Sequence, residues 1–295
     1  MANAKEIKER IASIEETRKI TNAMYLISSS KMKQAKEKLA KTEPYFYAMQ
    51  NEISRLLCYW PDIDNRFFDQ REHIPSKNRK IGIIAITSDK GLAGSYNHNV
   101  IKTVENLIKE GGSDLLFVLG ESGRNYFAKN HHGEMDFDFH YTVQNPTLHR
   151  SRLITDKMVE LFCKEKLDEV HIVYTKMQSA VSAETEQIKL LPLKRGTFNQ
   201  SCDVHFAKGG MNFYPSPNAV MDSIVPNYIN GIIYGCLVES YYSEHSARML
   251  AMQNATNSAT DMLSELNMTY NRVRQSDITQ ELTEVVAGAN AQQRK

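Results

Sequence analysis

The stretch with the clearest chemical potential is ITSDKGLAGSYN, residues 86–97. It follows the apolar run KIGIIAI and precedes HNVIKTVENLIKE. Strand, glycine turn and helix in that order can present backbone N–H groups to a phosphate. A P-loop requires GxxxxGK followed by Ser or Thr, whereas Gly91 and Gly94 are three apart and no such pair follows. A dinucleotide fingerprint requires GxGxxG, and GLAGS supplies only its second half. A tight strand-to-helix turn accounts for both glycines equally well, so the stretch leaves two readings.

Other constellations are poorer. His131 and His132 are adjacent and point apart on any regular element, and there is no HExxH. Ser88 and Asp89 follow the strand, but no GxSxG elbow surrounds them. Cys58, Cys163, Cys202 and Cys236 are widely spaced, which predicts neither a zinc site nor a disulfide framework and makes a reducing compartment the default. No acid/base pair stands out. These observations predict no catalytic residues, no cofactor site and no metal site.

Composition narrows the partners. With 36 Lys and Arg against 35 Asp and Glu, the net charge of +1 argues against nucleic acid. The charge is uneven: residues 1–42 hold ten basic and five acidic side chains. A solvated helix face and a surface for an anionic partner both fit that excess. The N-terminus MANAKEIKERIASIEE has no apolar signal core, and its acids argue against a transit peptide. No run approaches the roughly 18 apolar residues of a membrane span, so direct insertion is not expected.

The elements that would position any site are legible from punctuation. Met1–Glu43 and Cys236–Ala287 contain neither Gly nor Pro, the two residues that interrupt helices. In the first block Ile7, Ile11 and Ile14 step by four and three; Ile20, Met24 and Ile27 repeat the step in a shifted register, and Met32, Ala35 and Leu39 continue it. In the last block Ala255, Ala259, Met262, Leu266, Thr269 and Val273 form one set, and Ile278, Leu282, Val285 and Ala289 a second. This spacing predicts two long helices pairing as an antiparallel coiled coil, with local changes in winding where the register shifts. Each would be about 75 Å long at 1.5 Å per residue. Pro44 should bend or interrupt the first. Between them, strands at 80–87, 114–120 and 169–175, with a further one at 186–193, alternate with helices at 96–110, 123–130 and 148–166. That alternation predicts βαβ units and a mostly parallel sheet. The fold class is α/β: a long antiparallel coiled coil of N- and C-terminal helices plus a Rossmann-like α/β domain. The division expected is a coiled-coil helix at 1–57, a linker at 58–79, the α/β domain at 80–208, a linker at 209–220 and a second coiled-coil helix at 221–295.

Three motifs then carry a resemblance. KEIKERIASIEETRKITNAM (5–24) with SSSKMKQA (28–35), the turn ITSDKGLAGSYN, and YNRVRQSDITQELTEVVAGANA (270–291) resemble, in order and separation, the signatures of the γ subunit of F-type ATP synthases. The resemblance covers essentially the whole chain. It implies a non-catalytic central rotor shaft that couples proton flow through the membrane c-ring to conformational change at β-subunit catalytic sites. It further implies α and β subunits around the coiled coil, the ε subunit and c-ring beside the α/β domain, and a peripheral place on the cytoplasmic face of a bacterial plasma membrane.

By the same resemblance Arg274, Gln275, Thr279 and Glu281 match polar positions that contact β-subunit loops, and Met24 and Lys19 match a motif facing the β subunits. The residues themselves allow plainer readings: Arg274 pairing with Asp277 on a solvated face, and Met24 packing in the seam. Gln275 and Thr279 are one helical turn apart, where the apolar seam breaks between Val273 and Ile278. Ala93 and Ser95 stand where the family often has Cys and Gly, and the tail QQRK is a polar extension. Two other classes stay open from the residues alone: a phosphate- or nucleotide-binding α/β enzyme with a helical dimerisation arm, and an unrelated coiled-coil scaffold.

Overall fold

Two long helices flank the rest of the chain: α1, Ala4–Tyr59, and α5, Pro217–Gln293, the second running through Gly288. The computed structural model describes residues 4–75, 78–110, 113–130, 134–178, 182–198 and 213–293. His131, His132, Cys202, the start of the 209–220 linker and the last two residues of the QQRK tail lie outside them. By packing, the chain forms two units: Met1–Ser28 with Arg248–Lys295, and Ser29–Ala247.

In the first unit α1 and α5 pair antiparallel, and one contact fixes their register. The hydroxyls of Thr21 and Thr256 are 2.8 Å apart. Ile7, Thr21 and Ser28 are buried on α1, facing Met252, Ala259 and Leu263 on α5. The α1 positions are multiples of seven apart, the repeat of a left-handed supercoil. The expected shift to Ile20 and Ile27 therefore does not occur: these are 61% and 56% exposed, whereas Thr21 is 8% exposed. On α5 the seam likewise passes through Leu263 rather than Met262, which is 51% exposed. Small hydroxyl side chains let the backbones approach, and the Thr21–Thr256 pairing satisfies them there; isoleucine at those positions would hold the helices apart.

Pro44 does not interrupt α1. In the second unit the helix on either side of it is held by a cluster of Ala35, Leu39 and Phe46 against Tyr234, Val238, Tyr241 and Tyr242 of α5. Phe46 sits so close to Gly231 that a Cβ there would lie 2.0 Å from its ring. This packing offsets the lost N–H and ring clash that an isolated proline imposes.

The second unit is built on β1 (Lys80–Ile86), β2 (Ser113–Leu119), β3 (Glu134–Met135), β4 (Glu169–Met177) and β5 (Ala183–Leu191), in the order β3-β2-β1-β4-β5. All neighbours are parallel except β4 and β5, which form an antiparallel hairpin. β1 and β2 alternate between two apolar layers, as expected for strands covered on both faces. Ile83, Ala85, Leu116 and Val118 meet Val100 and Val104 of α2 (Tyr96–Glu110) and Phe127 of α3 (Glu121–Asn130). Ile84, Ile86, Phe117 and Leu119 join a larger core with Ile154, Met158 and Phe162 of α4 (Leu148–Cys163), Ile53 and Leu56 of α1, and Val225, Ile229 and Ile233 of α5.

Segment 58–79 connects α1 to β1 and is itself part of that core, through Ile63, Phe67 and Phe68. Its backbone is tied by Leu193 N–H donating to Phe67 O at 2.7 Å. Cys58 in this region is disulfide-bonded, while Cys163 and Cys236 carry free thiols. Sequence spacing predicts no disulfide framework, because cysteines that are distant along the chain reveal nothing of how closely the fold brings them.

At the start of β4 the Glu169 carboxylate meets His171 Nε2 at 2.9 Å, Lys189 Nζ at 3.0 Å and the Arg79 guanidinium. The hydrogen bond from His171, then those from Lys189 and Arg79, hold its pKa down at about 2 despite burial. A carboxyl depressed in the folded state stabilises fully above its unfolded pKa, near 4.3, and loses that contribution as pH falls toward the folded value. We expect unfolding stability to drop between about pH 5 and pH 2, with a shallower drop in Glu169→Gln. Urea titrations of both proteins across that range check this; identical acid limbs would contradict it.

Candidate functional site

The glycine turn comes first. β1 delivers Thr87 and Ser88, both buried, to the sheet's C-terminal edge. Thr87 Oγ1 donates to Leu119 O at 2.8 Å and accepts from Gly123 N–H at 3.0 Å. Ser88 N–H donates to Asn97 Oδ1 at 2.9 Å, Asn97 Nδ2 donates to Ser88 Oγ at 2.7 Å, and Ser122 N–H donates to Ser88 O at 3.0 Å. Leu92 and Gly94 take left-handed φ values of 63° and 56°, the signature of a tight turn.

Ligands of doubly wound sheets sit in the crevice beyond the carboxyl ends of the strands. Here that edge is occupied by the chain. Gly120 N–H donates to Tyr141 O at 3.3 Å, Val143 N–H donates to Asp89 Oδ2 at 3.1 Å, and the Thr142 hydroxyl donates to the same carboxylate. Three amides at this edge, those of Ser88, Gly120 and Gly123, already donate within the protein and are not offered to an anion. The turn is a structural joint between β1, α2, α3 and residues 136–143. Among the described residues no cluster of His, Cys, Asp or Glu could hold a metal ion.

The second candidate is the end of α5. Pairing of Thr21 with Thr256 sets each step forward on α1 against one step back on α5. Ala4, seventeen residues before Thr21, therefore faces Val273, seventeen after Thr256. α5 runs on to Gln293, so its last twenty residues, about 30 Å of helix, have no α1 residue of the described chain opposite them.

Every described side chain from Arg274 to Asn290 is exposed. Thr279 Oγ1 donates to Gln275 O at 2.8 Å, so this hydroxyl turns back onto its own helix. Arg274, Ile278, Glu281 and Val285 share one stripe, and Gln275, Thr279, Leu282 and Val286 the stripe beside it. Together they form one face, polar at its root and apolar beyond. Arg274 makes no ion pair among the described residues, so the pairing with Asp277 that its spacing allows is not formed.

Lys19 is exposed and Met24 half-buried. The structure does not bring these two to the other four. Lys19 faces Ser258, sixteen residues before Arg274, or about 24 Å along the helix. A third group escapes sequence reasoning: Ile20, Leu26 and Ile27 are exposed large apolar side chains on α1. A strict seven-residue count from Ile7 would have pointed Ile20 and Ile27 outward.

A sequence profile described as ATP synthase matches residues 3–292. The "ATP synthase gamma chain" of Acetivibrio thermocellus is 44% identical, with 99% of each chain covered. The "ATP synthase gamma chain, sodium ion specific" of Acetobacterium woodii is 35% identical, with 98% of each covered. In fold, the chain is similar to one in the Euglena gracilis mitochondrial ATP synthase OSCP/F1/c-ring structure: TM-score 0.69, 16% identity, 98% of this chain and 94% of that one covered. A chain in the Tetrahymena thermophila central stalk/c-ring structure gives a TM-score of 0.58 at 21% identity, over 80% of this chain and 99% of that one.

Proposed function

The chain belongs to the ATP synthase gamma chain family, and from that premise we propose that it works as the non-catalytic central shaft of a rotary ATP synthase, with the bare end of α5 as its contact with the catalytic subunits. The observation that carries this reading is the end of α5 beyond Val273, whose side chains from Arg274 to Asn290 are all exposed and include Ile278, Leu282, Val285 and Val286. An isolated helix with an apolar face is unstable in water without a partner, so this segment is built to be enclosed.

The polar root of that face, Arg274, Gln275, Thr279 and Glu281, contacts loops of the β subunits. Met24 and Lys19, with Ile20 and Ile27 beside them, form a separate contact lower on the shaft. The α and β subunits surround the coiled coil, while the ε subunit and the membrane c-ring adjoin the α/β unit. The assembly is peripheral, on the cytoplasmic face of a bacterial membrane. No helix among the described residues is long and apolar enough to cross a membrane.

A shaft of two unlike helices presents different surfaces to equivalent surrounding subunits. Each neighbour then favours a different conformation, and turning the shaft permutes those preferences. Only the difference in contact free energy between orientations does this, so individual contacts must be weak enough to release. The sheet edge beside the glycine turn, occupied by the chain's own residues 136–143, gives the nucleotide-enzyme alternative no support.

Replacing both Arg274 and Gln275 by alanine should therefore leave folding unchanged, because neither side chain is buried, yet lower coupled ATP synthesis. The expected loss is roughly tenfold, the size of one lost contact of about 1.4 kcal/mol. Synthesis in membrane vesicles bearing the variant assembly measures it. Full assembly and undiminished synthesis would remove these residues from the proposed contact.

A further inference from the structure

We propose that a groove between α1, β4 and α5 of the second unit receives a lysine or arginine side chain of a partner polypeptide, whose cationic head is accepted by Glu239. The inference takes from the shaft reading only that the chain works inside an assembly. The groove is a cavity of about 180 Å³, walled by Ala35 and Leu39 of α1, Met177 of β4, and Val238 and Tyr242 of α5, with Lys36 and Glu239 as its charged members. At the roughly 30 Å³ that a liquid water occupies, it holds about six heavy atoms. That is too little for a nucleotide or a drug-sized ligand, which needs about 300 Å³ or more. It suits a single long side chain.

Glu239 supplies the chemistry. It is half-buried, yet its carboxylate makes no hydrogen bond or ion pair among the described residues. Its electrostatic neighbours are Lys176 of β4, Glu186 of β5 and Glu43 of α1, and it in turn acts on the buried thiol of Cys236 on its own helix. Lys176 is directed to Glu186, with Nζ 3.6 Å from Oε2, and the Tyr174 hydroxyl donates to the same oxygen at 3.0 Å. Lys36 makes no ion pair among the described residues.

Among the charged groups acting on Glu239, the two carboxylates Glu186 and Glu43 thus oppose one ammonium, that of Lys176, which is already directed to Glu186. Burial, reinforced by Glu186 and Glu43, pushes the Glu239 carboxyl above its ordinary range. A poorly compensated carboxylate beside an apolar crevice fits a guest with an aliphatic stem and a cationic head. The stem lies along Leu39, Val238 and Met177, and the head forms the charge-assisted hydrogen bonds that Glu239 lacks.

The test uses the full chain with methyl-labelled methionine, the Met177 signal being assigned through Met177→Leu. n-Butylguanidinium and neutral n-pentanol are titrated separately. A saturable Met177 shift with butylguanidinium, weakened at least tenfold by Glu239→Gln, supports the proposal. No saturable shift overturns it and shows that a proton or Lys36 already serves Glu239. Equal binding of pentanol and butylguanidinium to the unmodified chain also overturns it, leaving an apolar crevice without charge selection. This comparison needs no variant to fold. Neither outcome bears on the shaft reading, which is tested with the other subunits.

Discussion

Arg71→Ala should lower the unfolding free energy by about 3–5 kcal/mol, the cost of stranding one half of a buried ion pair. Arg71 lies in the segment leading from α1 to β1, where its guanidinium donates to Asp168 Oδ1 at 2.6 Å, Leu167 O at 2.8 Å and Phe162 O at 2.8 Å. It also stacks 4.5 Å from the Phe162 ring. Both side chains are about nine-tenths buried, at 10% and 8% exposure. Burial alone would raise the Asp168 carboxyl; the Lys80 backbone N–H and Arg71 together hold it below its ordinary value. Removing the guanidinium leaves that carboxylate with the Lys80 N–H at 2.8 Å and no cation of the described residues in hydrogen-bond contact. Arg71→Lys keeps the charge but not the planar fork, so it should fall between wild type and alanine. Urea unfolding of the three proteins decides. A loss under about 1 kcal/mol for alanine would mean that the pair contributes no more than a surface bridge.

Gly120→Ala should cost about 3 kcal/mol, although it adds one methyl group. Gly120 directly follows β2 at φ +89°, and a Cβ there would lie 2.3 Å from Thr87 O and 2.9 Å from Thr87 Oγ1. The clash is with backbone, so it is relieved only by parting the ends of β1 and β2. Gly91→Ala is the control. Nothing lies within 4 Å of a Cβ at that position, and the change should stay within about 0.5 kcal/mol. Paired thermal unfolding of the two variants checks this. Equal losses would mean that the strand ends yield more easily than their hydrogen bonds imply.

That pair of glycines shows where sequence reasoning reaches its limit. Gly91 attracts attention because it sits in a recognisable turn motif, whereas the need for Gly120 arises from a strand-to-strand approach that no local pattern encodes. The parallel strands are legible because β1 and β2 are continuous apolar runs between polar breaks. β3 is not, because Glu134–Met135 is too short to carry any periodicity. The long helices are legible from the absence of glycine and proline, but their seam is misplaced over residues 20–27. There a hydrophobicity count selects Ile20 and Ile27, while the close pairing of the helices selects Thr21 and Ser28.

Periodicity places Ile278, Leu282, Val285 and Ala289 in the seam of the helix pair, yet all four are exposed; only the family resemblance assigns polar positions of this end to a partner. The structure adds a physical reason for its exposure: the first described residue of α1, Ala4, lies opposite Val273, and the apolar side chains beyond that point have no described α1 residue opposite them. The role of segment 58–79 in the core was hidden for a related reason. Arg71, Arg79 and Asn65 read as polar linker residues until their partners Asp168, Glu169 and Asp222 are in view.

The central claim is that this chain couples to the catalytic subunits as a shaft. The most direct measurement is ATP hydrolysis by α and β subunits from the same source, mixed with and without the full chain. The account predicts a stable assembly whose turnover depends on the chain and falls when α5 is truncated after Val273. Folded subunits that neither assemble with the chain nor change their turnover in its presence would contradict it.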